Sequence, residues 1–307
     1  MKKKSESKTA IIAAIIGNLL ICIIKFAAAA ITGSSAMLSE GVHSLVDTGN
    51  GGLMYYGLEQ SRKPPDQAHP FGHGRELYFW TLVVAVSIFA VGGGVSVYEG
   101  ILHLINPVES ENQIWSYSVL GIASIFEAIS WSYAWAAFQQ ERKGRSIWRT
   151  IRASKDPSTF TVLFEDTAAL LGLVIAAAGV FFSHVFNNPY FDGTASVLIG
   201  TVLVIVALLL GYETKGLLIG EGLEKKKLEG IRALVADQPG IKGVKDIASI
   251  FVGPDDVILI LELVIEKELR NGDLLSVIAQ AEQGVRAAYP EIARIFYQPS
   301  APVSENT

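Results

Sequence analysis

Cysteine is nearly absent from this chain. Of 307 residues only Cys22 is a cysteine, so an intrachain disulfide is impossible and a zinc or redox site built on cysteine pairs is excluded. Charge is scarce as well. Asp, Glu, Lys and Arg make up 18% of the residues, against about 25% in an ordinary soluble domain. The formal net charge is −5, so there is no overall basic field of the kind that attracts nucleic acid. No HExxH and no GxSxG occurs, which leaves a hydrolase without its usual zinc or serine signature. The chain is not expected to be an enzyme.

Half the residues are hydrophobic, and the mean hydropathy is +0.37. That value suits a membrane part joined to a soluble part. A membrane helix needs about 20 mostly apolar residues. Six stretches qualify: Thr9–Ile31, Ala36–Leu58, Leu77–Ile105, Ile114–Phe138, Thr159–Phe186 and Ala195–Ile219. The first has a basic start, but it is too long for a signal-peptide core and Lys25 interrupts it, so it reads as a retained helix.

Basic residues are sorted among the connections. Lys2, Lys3, Lys4 and Lys8 precede the first span. Arg62, Lys63 and Arg75 follow the second, and Arg142, Lys143, Arg145, Arg149, Arg152 and Lys155 follow the fourth. The alternate connections, 32–35, 106–113 and 187–194, contain no Lys or Arg. By the positive-inside rule both termini are expected on the cytoplasmic side.

From about Leu223 the pattern is that of a small α+β domain. Leu223–Ala236 has helical period. Val244–Val252 and Val257–Glu266 read as strands joined by Gly253, Pro254 and Asp255. Asp273 is placed to cap a helix through Ala288, and Arg294–Tyr297 is a short last strand. The expected order is α-β-β-α-β, with both helices on one face of the sheet. The expected divisions are 1–219 for the membrane domain, 220–299 for the soluble domain and 300–307 for a disordered tail. This tail region has no His and no Cys.

Charged groups inside spans cost about 2.5–3.5 kcal/mol each on insertion scales and ask for a reason. In the second span Ser39, His43 and Asp47 recur every four residues, with Asn50 three later. This spacing puts them on one helix face. His43 and Asp47 can offer an imidazole nitrogen and a carboxylate oxygen to one metal ion; the alternative is a hydrogen bond between helices. In the fifth span Glu165 and Asp166 are adjacent, so their side chains point about 100° apart and need not serve one site. Glu127, Glu99 and Lys25 are further charges within spans, and Lys25 could neutralise a carboxylate. The connection after the second span holds Asp66, His69 and His73 around Pro70 and Gly72. An Asp and two His so close form a mixed nitrogen and oxygen ligand set, or a solvated loop that happens to contain histidines.

Three segments together carry a resemblance: Ser39-Glu-Gly-Val-His43-Ser-Leu-Val-Asp47-Thr, His69-Pro-Phe-Gly-His73-Gly-Arg-Glu76 and Glu165-Asp166-Thr-Ala-Ala. They resemble the cation diffusion facilitators, divalent-metal/proton antiporters, and in particular the branch that includes the mitochondrial zinc transporters. The resemblance implies an all-α six-helix membrane domain with a cytoplasmic, ferredoxin-like α+β tail, working as a homodimer. It implies a transport site shared by the second and fifth spans, with His43 and Asp47 from one and Asp166 from the other. The remaining family position falls on Val162, which cannot ligate, so water or Glu165 would be the fourth ligand. It also implies a second metal site at Asp66, His69 and His73. The expected activity is export of Zn²⁺, or else Mn²⁺, Fe²⁺ or Co²⁺, in exchange for protons; a metal-sensing scaffold is the other reading. The metal is cargo and no cofactor is expected. The expected partners are the metal ion, protons, lipid and a second copy of the chain. The expected location is a bacterial inner membrane, since no transit peptide precedes the first span.

Overall fold

The computed structural model describes residues 18–108, 113–142, 144–266 and 271–300. They form two compact units. One holds the hydrophobic helices, and the other holds residues 60–76 together with the chain from Gly216 onward.

In the helical unit the order is α1 (Asn18–Thr32), α2 (Ser35–Ser61), α3 (Glu76–Ile105), α4 (Gln113–Arg142), α5 (Ile147–Ala153), α6 (Pro157–Phe186) and α7 (Tyr190–Ile219). Among the described residues, four helices are long and apolar enough to cross a membrane. These are α3, α4 from Ile114, α6 and α7. The first expected span begins outside the described residues and continues as α1. The second is α2, which is 27 residues long. Its length suffices, but Ser39, Glu40, His43, Asp47 and Asn50 lower its hydropathy. The six-helix expectation holds, and the one helix that composition disfavours is the one that carries the polar residues.

Local chemistry explains the helix ends. Asp156 caps α6 by accepting from Ser158 N–H at 2.9 Å, with Pro157 in the first turn. Asn187 ends the helix in the left-handed conformation at φ 48°. Within the basic connection after α4, Ser146 caps the short α5, which the sequence reading leaves as loop. At the start of α2, the buried Asp192 of α7 accepts from Ser35 N–H at 2.6 Å and from the Ser34 and Ser35 hydroxyls. A carboxylate there satisfies free N–H groups and complements the positive end of the helix.

The backbones of α3 and α7 approach closely. A Cβ on Gly93 would sit 3.1 Å from Gly200 O, and one on Gly200 would sit 2.8 Å from Gly93 O. Only glycine permits this spacing, the familiar route to tight helix pairs in lipid. Beside it, α3 contains a π-helical turn at Ile88–Gly93.

The second unit contains α8 (Lys225–Ala236), β1 (Ile241–Phe251), β2 (Val257–Ile265), α9 (Asn271–Ala288) and β3 (Ile292–Ser300). The sheet order is β1-β2-β3, antiparallel between β1 and β2 and parallel between β2 and β3. The α-β-β-α-β order is as expected. The alternate residues Val257, Leu259, Leu261 and Leu263 are fully buried against Ile231 and Val235 of α8 and Val277 and Val285 of α9. Both helices therefore cover one face. Each such side chain contributes about 1.5–3 kcal/mol by leaving water. The last strand is longer than Arg294–Tyr297 because its pairing with β2 runs from Ile292 to Ser300. Ser300 thus belongs to β3, and the rest of the expected disordered tail, 301–307, lies outside the described residues.

Candidate metal centre

Helix α2 positions the first pair. His43 is 1% exposed, and its Nδ1 lies 3.3 Å from Asp47 Oδ1 one turn later. Among the described residues neither ring nitrogen of His43 has a hydrogen-bond partner, nor has Asp47 Oδ1. Buried polar atoms are nearly always paired, so three orphans on adjacent turns call for an explanation such as an ion or water. A small cavity reaches Asp47 and Ser44, and it is also lined by Asn18 and Ile21 of α1 and by Glu127 of α4.

Helix α6 sends its two carboxylates in different directions, as their 100° offset requires. Glu165 Oε1 accepts from Asn50 Nδ2 of α2 at 2.8 Å. Asp166 Oδ2 accepts from Ser130 Oγ of α4 at 2.9 Å. So Glu165 is tied to the helix that carries His43 and Asp47, while Asp166 is tied to α4. Trp131 Nε1 donates to Thr167 Oγ1 at 3.0 Å and strengthens the α4–α6 seam. Val162 is 41% exposed and offers no ligand atom. In this conformation His43 and Asp47 are brought together, but they do not close with Glu165 or Asp166 into a compact set of three.

The connection between α2 and α3 does form a compact set. Asp66, His69 and His73 each present a ligand atom, and these atoms lie within 4.8 Å of one another; among the described residues no other group of three does so. Asp66 Oδ1 is 3.3 Å from His69 Nδ1 and Asp66 Oδ2 is 3.4 Å from His73 Nε2. The backbone N–H of His69 donates to Asp66 at 2.6 Å. This bond, helped by the two imidazoles, holds the exposed Asp66 carboxyl below its usual value.

Neighbouring residues fix this loop within its own unit. Phe71 meets Phe296 of β3 edge-on at 6.3 Å, and the Arg294 guanidinium lies over the Phe71 ring at 5.1 Å. Arg75 donates to Phe251 O at 3.3 Å. Gly74 lies so close to Val252 O that a Cβ would overlap it. Sequence reading missed these roles. Their signal was present, since Phe71, Gly74 and Arg75 interleave with the two histidines, but nothing local says that β1 and β3 receive them. It missed the Asp192 cap for the same reason.

Comparison with known proteins now bears on this arrangement. The cation efflux transmembrane domain matches residues 11–219. The chain belongs to the cation efflux family. It is a multi-pass membrane protein, as the family and the four apolar helices require. The mitochondrial proton-coupled zinc antiporter SLC30A9 of Mus musculus is 33% identical over 252 residues, which is 81% of this chain and 44% of that protein. Metal tolerance protein C4 of Arabidopsis thaliana is 30% identical, covering 81% of this chain and 55% of its own length. The cation-efflux pump FieF of Escherichia coli is 27% identical over 95% of this chain and 92% of that protein. The chain spans about half the length of the mitochondrial and plant relatives. The family match over residues 11–219 includes His43, Asp47, Glu165 and Asp166 as well as Asp66, His69 and His73.

Proposed function

We propose that this chain is a secondary transporter that exports a divalent transition-metal cation, Zn²⁺ foremost, from the cytoplasm in exchange for protons. The observation that carries this reading is the buried His43, with both ring nitrogens unpartnered, one turn from Asp47. A mixed imidazole and carboxylate site favours Zn²⁺ and its neighbours over ions that prefer only oxygen. Relatives named as a zinc antiporter and a cation-efflux pump support the same substrate class.

In this reading His43 and Asp47 hold the ion from α2 and Asp166 holds it from α6. Glu165, already directed to α2 by Asn50, supplies the ligand that Val162 cannot. Metal requires neutral imidazole and ionised carboxylates, so binding releases protons and protonation releases metal. Alternating exposure of the site to the two sides then couples the two flows. Asp66, His69 and His73 form a separate cytoplasmic metal site. Both termini lie in the cytoplasm, the chain works as a homodimer in a bacterial inner membrane, and it needs no resident cofactor.

The test is metal uptake by proteoliposomes holding the full chain under an imposed pH gradient, with Zn²⁺, Mn²⁺, Fe²⁺, Co²⁺ and Cd²⁺ in competition. Gradient-dependent Zn²⁺ uptake that disappears in Asp47→Ala and Asp166→Ala is expected. Uptake unchanged in both variants would overturn the site, and no uptake by the unaltered chain would overturn the function.

A further inference from the structure

The transport reading leaves one buried ion pair without a task. Lys25 of α1 and Glu40 of α2 are both 0% exposed, with Nζ 3.0 Å from Glu40 Oε2. The same ammonium donates to Ser44 Oγ at 2.8 Å. Ser44 follows His43 directly and lines the cavity that reaches Asp47. The positive end of the pair therefore points at the proposed cation site. Lys25 is within electrostatic reach of His43, Asp47 and Glu127.

The pair is a poor candidate for a purely structural tie. Replacing a buried ion pair by well-packed apolar groups is often neutral or stabilising. A pair kept for stability would also satisfy all its atoms. Here Glu40 Oε1 is buried and, among the described residues, has no hydrogen-bond partner. It faces Gly172 of α6, where a Cβ would overlap it. The carboxylate thus sits between α2 and α6, the two helices proposed to share the cation, with one oxygen unused.

Its position along α2 matters. Glu40 lies seven residues before Asp47, about 10 Å nearer the α1–α2 turn. Lys25 and Glu40 therefore lie between the level of Asp47 and the α1–α2 turn. The small cavity at Asp47 is lined by Asn18 and Ile21 of α1, by Ser44 and by Glu127.

We infer that the Lys25–Glu40 pair is a charge gate beside the cation site: Lys25 is a tethered cation that weakens metal binding and promotes release toward the α1–α2 turn, and Glu40 holds and neutralises it. This rests on the transport reading above. The gate acts through fixed charge on the ion, so removing its two members separately has opposite effects. Lys25→Met leaves a bare carboxylate near the site and tightens binding. Glu40→Gln leaves a bare ammonium and weakens it. Removing both deletes a dipole whose positive end faces the site, and binding tightens by less.

The experiment is equilibrium Zn²⁺ binding by the purified full chain, with His69→Ala and His73→Ala in every sample so that the membrane site alone is read. The gate predicts affinity raised about tenfold or more in Lys25→Met and lowered by a similar factor in Glu40→Gln. In the double variant Lys25→Met/Glu40→Gln it predicts a rise of about threefold. The double variant leaves no unpaired buried charge, so it carries the test if a single variant fails to fold. Shifts of the same sign in both single variants, or unchanged or weaker binding in the double variant, would overturn the gate. Loss of all binding in the loop-blocked background would overturn the transport site, and the gate with it.

Discussion

Asn50 donates its side-chain amide to Glu165 across 2.8 Å, and this bond joins α2 to α6 one turn from Asp47. It settles which of two adjacent carboxylates looks toward the helix bearing His43. The partner bond from Ser130 turns Asp166 toward α4. In the proposed site, this makes Glu165 the candidate for the ligand that Val162 cannot supply.

Glu165→Ala is therefore expected to weaken Zn²⁺ binding about tenfold or more, the loss of one charge-assisted ligand. Adding Val162→His to that variant is expected to recover most of the affinity. Equilibrium titration of the loop-blocked chain measures both effects. Equal affinities in the unaltered chain and Glu165→Ala would remove Glu165 from the site.

His43→Leu separates ligation from folding. Its ring nitrogens make no hydrogen bond among the described residues, so replacing the imidazole by an apolar group leaves no new orphan partner behind. The metal-free stability should change by no more than about 1 kcal/mol. The rise in melting temperature that Zn²⁺ gives by binding the folded state should vanish. Thermal melts of the loop-blocked chain, with and without Zn²⁺, report both quantities. A large metal-free loss with the Zn²⁺ effect intact would make His43 structural.

How much of this was legible beforehand follows from the range of each interaction. Long apolar runs mark α3, α6 and α7 without help from partners. His43 and Asp47 were legible because a helix places residues four apart on one face. Alternation along Val257–Glu266 revealed a strand with one buried side, and so the layer of helices above it. Contacts between distant elements were not legible. Asp192 caps α2 from 157 residues away. That Lys25 could neutralise a carboxylate was legible, but nothing local named Glu40, 15 positions later, as that carboxylate. The direction of Glu165 depends on Asn50, 115 positions earlier. The second span, Ala36–Leu58, was legible from its length, although its polar residues keep α2 out of the four most apolar helices.

Gly74→Ala is expected to loosen the loop that carries Asp66, His69 and His73. The new Cβ would overlap Val252 O, and backbone cannot retreat as a side-chain tip can. A destabilisation of about 1–3 kcal/mol is the usual result of such overpacking. Hydrogen exchange in residues 66–76 and in β1 should rise, and Zn²⁺ affinity at the loop should fall. Unchanged exchange would show that the loop does not depend on this close approach.

Tyr297 supplies a pH test in the tail. Burial, with Glu282 nearby, pushes its phenol up to about 12 against the weaker pull of Arg286. Its hydroxyl has no hydrogen-bond partner among the described residues. The folded state therefore holds the proton to higher pH than the unfolded chain does. That contribution is fully present below the ordinary tyrosine value near ~10 and is lost as pH rises through about 12. Tyr297→Phe should be neutral or stabilising by about 1 kcal/mol at pH 7, and the decline between those two values should flatten. Denaturation of the tail within the full chain, followed against pH, shows either the flattening or its absence.

Coupled exchange across the membrane is the central claim, and zinc-driven proton movement tests it most directly. Proteoliposomes carrying the full chain and an internal pH indicator receive a Zn²⁺ gradient with no pH gradient imposed. The account predicts proton movement opposite to Zn²⁺, abolished by Asp47→Ala. Zn²⁺ flux with no proton movement, or proton movement that persists in Asp47→Ala, would contradict it.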